Sequence, residues 1–148
     1  MPRRKRSTPT SRIVAIPSAD LTSVSAEYKR GLELARRGEW FEAHEAFELA
    51  WRAAPTEERD FFQGLVHVVV FAYQSARGKP VGAERQREKG LRRLARYAPV
   101  HRGLDVERLL AALVRAEPDL REHLVEADAQ PPVEVEEEQQ PQRDENGA

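Results

Sequence analysis

The chain has 148 residues, 40% of them apolar, and a formal net charge of −1: enough apolar material for one core and too much for a wholly disordered protein. It has no cysteine, which excludes disulfides, thiolate zinc sites and cysteine nucleophiles and suits a reducing compartment, so a cytoplasmic protein is expected. No apolar run approaches the roughly 20 residues that span a bilayer, and no apolar stretch follows the basic start as in a signal peptide, so no membrane role is expected.

The small net charge conceals two oppositely charged ends. Arg3, Arg4, Lys5, Arg6 and Arg12 stand in the first 12 residues without an acid, whereas residues 126–148 hold eight acids against Arg143 alone. Both ends are poor in large apolar side chains and cannot offset the entropy of ordering. Residues 1–20 are therefore expected to be a disordered basic arm, 21–127 a helical domain and 128–148 a disordered acidic tail. Ile13, Val14 and Ile16 interrupt the arm and suit a short extended piece docked on the domain. Four adjacent cations are a weak footprint for nucleic acid, which is not expected as a partner.

Between the ends the apolar periodicity is helical throughout. Ser23 or Ser25 can cap a first helix over about 24–37 that carries Tyr28, Leu32 and Leu34, with Arg36, Arg37 and Gly38 at its end. A second helix over about 39–53 spaces Trp40, Ala43, Phe47, Ala50 and Trp51 by three and four until Pro55. Thr56 offers a cap, with Glu57 and Glu58 in the first turn, for a third helix over about 57–77. It is apolar on most sides between Phe61 and Tyr73 and should lie centrally. Gly78, Pro80 and Gly82 mark a break before a fourth, arginine-rich helix with Ala83, Leu91, Leu94, Ala95 and Ala98 inward, ending before Pro99. Asp105 can cap a fifth holding Leu109, Leu110 and Leu113, and Pro118 can start a short sixth with Leu120, Leu124 and Val125. No strand is predicted. The expected fold is all-α, a single helical bundle of about five to six helices.

Residues 24–57 resemble one tetratricopeptide repeat, with Gly31, Gly38, Trp40, Ala43, Phe47, Ala50 and Pro55 where that 34-residue pattern wants small, turn, aromatic and helix-ending residues. A shift by one period meets Leu65, Arg77, Val81 and Lys89 instead, so the reading is a hairpin of that geometry without a repeat array.

The run Gly38 to Trp51, followed by Arg59 to His67, resembles a bacterial family catalogued as domain of unknown function 309. The residues that carry the resemblance are His44, Glu45, Glu48, Trp51, Phe62, Gln63, Gly64, Leu65, Arg77, Gly78, Gly82 and Ala83, over about 26–98. The resemblance implies an all-helical fold and no established activity, although some members bear a loose label of metal-dependent hydrolase. Many relatives have Gln at the position of His67 and His at that of Gln74, a histidine displaced by two helical turns.

Geometry gives these residues two readings. His44 and Glu48 share one face of the second helix, while Gln63, His67 and Gln74 share one face of the third. If the faces meet, the polar groups converge. They would then form either a hydrogen-bonded network buried between helices or a pocket. In the pocket reading, His44, Glu48 and His67 would hold a divalent metal, Glu45 would act as a base, and Gln63, Trp51 and Arg77 would complete the ligand cluster. The network reading sets an expected cost of about 1 to 3 kcal/mol for His44→Ala. Glu45 is one residue round from His44 and can face solvent; Trp51 and Phe62 lie on apolar faces that suit a core.

No Gly-x-Ser-x-Gly elbow or glycine-rich phosphate loop with a Lys-Ser or Lys-Thr continuation is present, so serine-hydrolase and nucleotide chemistry are dropped. Arg77, Arg85, Arg87, Arg92, Arg93 and Arg96 form a basic run whose simplest role is a solvated face, aided by Glu84 and Glu88. Two classes of function stay open: a binding or structural module taking a protein or peptide partner in a groove of the hairpin, and a metal-dependent hydrolase-like enzyme with a pocket between the second and third helices.

Overall fold

A computed structural model describes residues 23–127, so the basic arm with Ile13, Val14 and Ile16, and the acidic tail, lie outside the described residues. Helix α1 covers residues 23–36 and buries Val24, Tyr28, Leu32 and Ala35, one inward stripe at spacings of four, four and three. Ser25 therefore lies within the helix rather than capping it. Gly38, at φ +79°, ends the helix: its N–H reaches Ala35 O and that of Glu39 reaches Leu34 O, the paired closure that a left-handed residue permits.

Helix α2, Trp40–Ala53, buries Ala43, Ala46, Phe47 and Ala50. The small residues on this stripe bring it close to α1: a β-carbon on Gly31 would lie 2.5 Å from the Phe47 ring. The Pro55 that stops α2 leads into a 3-10 turn, Thr56–Glu58, and helix α3 begins only at Arg59 and runs to Ala76. The predicted start at 57 merged two elements: Thr56 lies in the 3-10 turn, and the residue that precedes α3 is Glu58, whose side chain makes no capping hydrogen bond.

As its all-round apolarity requires, α3 is the central helix, packed on α2 on one side and on helix α4, Pro80–Leu94, on the other. Phe61, Phe62, Leu65, Val68, Val69, Phe71 and Ala72 are buried along it. The α3–α4 crossing is close at Gly64, where an added β-carbon would meet Leu94 Cγ at 2.7 Å. Pro80 opens α4 in its first turn rather than preceding it, since an N–H there would have no helical acceptor.

After the 3-10 turn Ala95–Tyr97 the chain makes an unpredicted hairpin. β1, Val100–His101, pairs antiparallel with β2, Leu104–Asp105, around Arg102 at φ 49° and Gly103 at φ 79°. Successive positive φ values are what a two-residue hairpin turn demands. Asp105 then caps helix α5, Val106–Val114, accepting from the Arg108 N–H at 3.0 Å. The expected sixth helix is only the 3-10 turn Arg121–His123. Beyond it Val125 O accepts from the Asp105 N–H, and Leu104 bridges Glu126, so this segment finishes the hairpin edge. The domain is all-α apart from that two-stranded ribbon.

Candidate functional site

The α2–α3 groove opens as a cleft of about 180 Å³ lined by Trp40, Phe41, His44, Val70, Tyr73 and Gln74. The helical repeat puts Phe41 and His44 one turn apart, and their rings stack with centroids 6.3 Å apart. Phe41 is also 6.2 Å from the Tyr73 ring on α3. It is 52% exposed, a large aromatic left at the mouth of the cleft. His44 is 28% exposed and Glu48 38%, with His44 Nε2 3.6 Å from Glu48 Oε2, a loose pair one turn apart. Gln74 lines the cleft with His44.

His67 looks elsewhere. Its Nδ1 is 2.8 Å from Gln86 Oε1 on α4, and its β-carbon lies beside Gly90. Burial holds the imidazole below its usual pKa, opposed by the Gln86 hydrogen bond and assisted by the charges of Arg93, Lys89 and Arg92. Its Nε2 is buried with no hydrogen-bond partner. A ring that donates from Nδ1 to this carbonyl-type oxygen carries a bare lone pair at Nε2.

The sequence-predicted cluster is therefore divided. Gln63 is half-buried on α3 and, among the described residues, makes no hydrogen bond to His44, Glu48 or His67. Glu45 is exposed on a shallow surface shared with Arg30, Glu48, Leu49 and Arg52. Trp51 packs against the core, with the Arg59 guanidinium 4.6 Å over its ring. Arg77 is exposed and lies over Tyr73, donating to its hydroxyl at 3.0 Å. No polar or charged side chain among the described residues is fully buried, so the buried network expected between α2 and α3 is not formed. Nor, among those residues, do any three His, Asp or Glu side chains converge as metal ligands. His44 lines the α2–α3 cleft, Glu48 lies on the shallow surface with Arg30 and Arg52, and His67 faces α4, so the three expected ligands do not share a centre.

Sequence reasoning missed a tighter cluster at the other end of the bundle. Glu58, 16% exposed, receives Arg102 Nε at 2.6 Å and a second guanidinium nitrogen at 2.8 Å, and lies 2.8 Å from His101 Nε2. The Arg102 hydrogen bonds, with help from His101 and against the opposing effect of burial, hold the Glu58 carboxyl below the usual range. His101 packs on Phe61 and Tyr97, with centroids 4.5 and 4.7 Å away, and Arg102 lies over the Phe62 and Tyr28 rings. Burial pushes the Tyr28 phenol up to about 12 against the lowering charges of Arg102 and Arg36, and its hydroxyl donates to Arg102 O at 3.3 Å. Nothing in the local sequence around Glu58 or His101 signals this arrangement, because it exists only when the hairpin folds back over α3.

Fold and cleft together define a small helical domain with one half-apolar, aromatic-rimmed groove between its second and third helices. Residues 28–86, which contain both helices, match the model of the family described as Domain of unknown function (DUF309). No curated protein and no solved structure matches the chain. Among the described residues, no helix is long and apolar enough to cross a membrane.

Proposed function

We propose that the chain is a binding module that accepts one bulky apolar side chain of a peptide or protein partner in the α2–α3 cleft. The observation that carries this reading is Phe41, a large aromatic left mostly in solvent beside Trp40, Tyr73 and Val70. Aromatic side chains at a concave site bring large apolar area with few rotatable bonds, the usual composition of an anchor pocket. Size favours a side chain over a cofactor: the cleft is about 180 Å³, whereas sites for drug-sized molecules occupy roughly 300 to 1,000 Å³. His44, Gln74 and the Tyr73 hydroxyl provide polar contacts for the neighbouring backbone, and Arg77 sets a cation at the rim.

Selection of random peptides displayed against the full chain tests this. The expected winners share one large apolar residue, and their affinity falls by roughly tenfold or more, about 1.4 kcal/mol, on Phe41→Asp. Peptides that bind Phe41→Asp and the parent equally well would overturn the reading.

A further inference from the structure

Arg85, Lys89 and Arg92 on α4, and Arg96 in the 3-10 turn that continues it, follow one another at spacings of four, three and four residues, so they form one stripe. The arginines are exposed and Lys89 is half-buried. The nearby acids are largely engaged elsewhere. Glu84 is held by Arg87 at 2.6 Å, while Asp60 takes Arg93 at 2.8 Å and Arg96 at 3.2 Å. Among the described residues, Arg85, Lys89 and Arg92 pair with no acid, and Glu88 stands one turn from both arginines without joining either. Their positive field reaches inward, where Lys89 and Arg92 join Arg93 in disfavouring the proton on His67.

We propose that the acidic segment of the same chain, Glu134, Glu136, Glu137 and Glu138, docks along this stripe. Charge complementarity is the first support, four acids in five residues against four aligned cations, of which Arg96 is shared with Asp60 and the other three have no acid partner among the described residues. Length is the second. Eleven residues of helix rise about 16 Å, and a five-residue extended segment spans about 14 Å between its ends. The exit point is the third. Ala127 donates to Gly103 O at 2.8 Å, in the hairpin that starts four residues after Arg96, so the following residues leave the domain near one end of the stripe. The seven steps from Ala127 to Glu134 reach up to about 25 Å, and Pro131 and Pro132 favour an extended path. A tether this short supplies an effective concentration on the order of millimolar, enough to fill a weak multi-ion site. Any separate polyanion would then have to displace the segment.

The absence of cysteine allows a direct test on the full chain. A spin label on Gln139→Cys, which keeps every acid, is read by its broadening of backbone amide signals in ¹⁵N-labelled protein. At about 0.01 M salt, where charges act over about 30 Å, the amides from Arg85 to Arg96 are expected to lose most of their intensity; at about 1 M, where the reach is about 3 Å, they recover. The loss should also disappear in Glu134→Gln/Glu136→Gln/Glu137→Gln/Glu138→Gln, whose changes lie outside the helical domain, and in Arg85→Glu/Lys89→Glu/Arg92→Glu. Broadening that is absent from α4 at low salt, or unchanged in the amide variant, overturns the proposal. So does broadening that persists only when label and ¹⁵N are on different molecules, which makes it a contact between copies. Single-stranded RNA that shifts the α4 amides when the label leaves them untouched would assign the stripe to nucleic acid instead.

Discussion

Glu58, in the turn before α3, and Arg102, at the tip of the hairpin, are joined by two hydrogen bonds of 2.6 and 2.8 Å across 44 positions of sequence. The guanidinium and carboxylate are both largely covered, at 25% and 16% exposure, so neither regains full hydration when its partner is removed. Glu58→Gln, which keeps the shape and removes the charge, is expected to lower stability by about 1.5 to 3 kcal/mol at neutral pH. The Glu58 carboxyl is held below its ordinary value of 4.5 in the folded chain. Its contribution is therefore complete above that pH and is lost as pH falls through the folded value. Denaturant midpoints of parent and variant should converge in acid; a gap that stays constant from neutral to acid pH would show that charge is not its source.

Tyr28 should titrate late. Its phenol is pushed up to about 12 in the folded domain from 10.0, so the folded state holds the proton longer than the unfolded one. The stability this provides is present below pH 10 and falls as pH rises towards 12. Ultraviolet titration of the three tyrosines should lose its latest step in Tyr28→Phe. Retention of that step would place the late phenol elsewhere.

His67 behaves in the opposite sense. Burial first, then the cations of α4, holds it below 6.5 when folded, so its contribution is present above 6.5 and is lost as pH falls through the lower folded value. Gln86→Ala removes the hydrogen bond that raises it, and the imidazole resonances of His67 should then titrate at still lower pH. An upward move would mean that Gln86 does not favour the protonated ring.

Three glycines sort by what surrounds them. Gly31→Ala and Gly64→Ala would drive a β-carbon to 2.5 Å from Phe47 and 2.7 Å from Leu94, both fully buried side chains. Each is expected to cost about 1 to 3 kcal/mol in thermal or chemical unfolding. At Gly82 the nearest atoms are 3.8 Å away, and Gly82→Ala should instead stabilise α4 by roughly 0.5 to 1 kcal/mol. Equal effects at all three would remove close helix approach as the reason for glycine at 31 and 64.

His44→Ala is now expected to cost under about 0.5 kcal/mol, the scale of an exposed pair one helical turn apart, rather than the larger value a buried network implies. Its effect should appear in peptide binding at the cleft. A loss of several kcal/mol on unfolding would restore a structural role.

Helix positions were legible because burial here follows spacing. Val24, Tyr28, Leu32 and Ala35, or Ala43, Phe47 and Ala50, mark their inward faces by intervals of three and four, and Gly38, Pro55 and Asp105 act through their own backbone or side chain at the ends they mark. The hairpin was not legible, since Val100–His101 and Leu104–Asp105 are too short for a period of two to register. The candidate site was legible only in part. Trp40, Phe41 and His44 could be placed on one helix, whereas the partner of each α3 polar residue depends on how α3 is rotated between its neighbours.

That rotation is where sequence and tertiary structure part. Composition and periodicity alone determined an all-α domain with α3 at its centre, because apolar residues on most sides of a helix can be hidden only in the middle. Packing decided which neighbour each side of α3 meets. Gly64 admits Leu94 and lets α4 close on one side, carrying Gln86 to His67, while the α2 side keeps His44 with Val70 and Tyr73. Likewise no local pattern joins Glu58 to Arg102. Side-chain contacts across 44 positions depend on the relative placement of whole elements, which is set by the fit of their buried surfaces rather than by either segment alone.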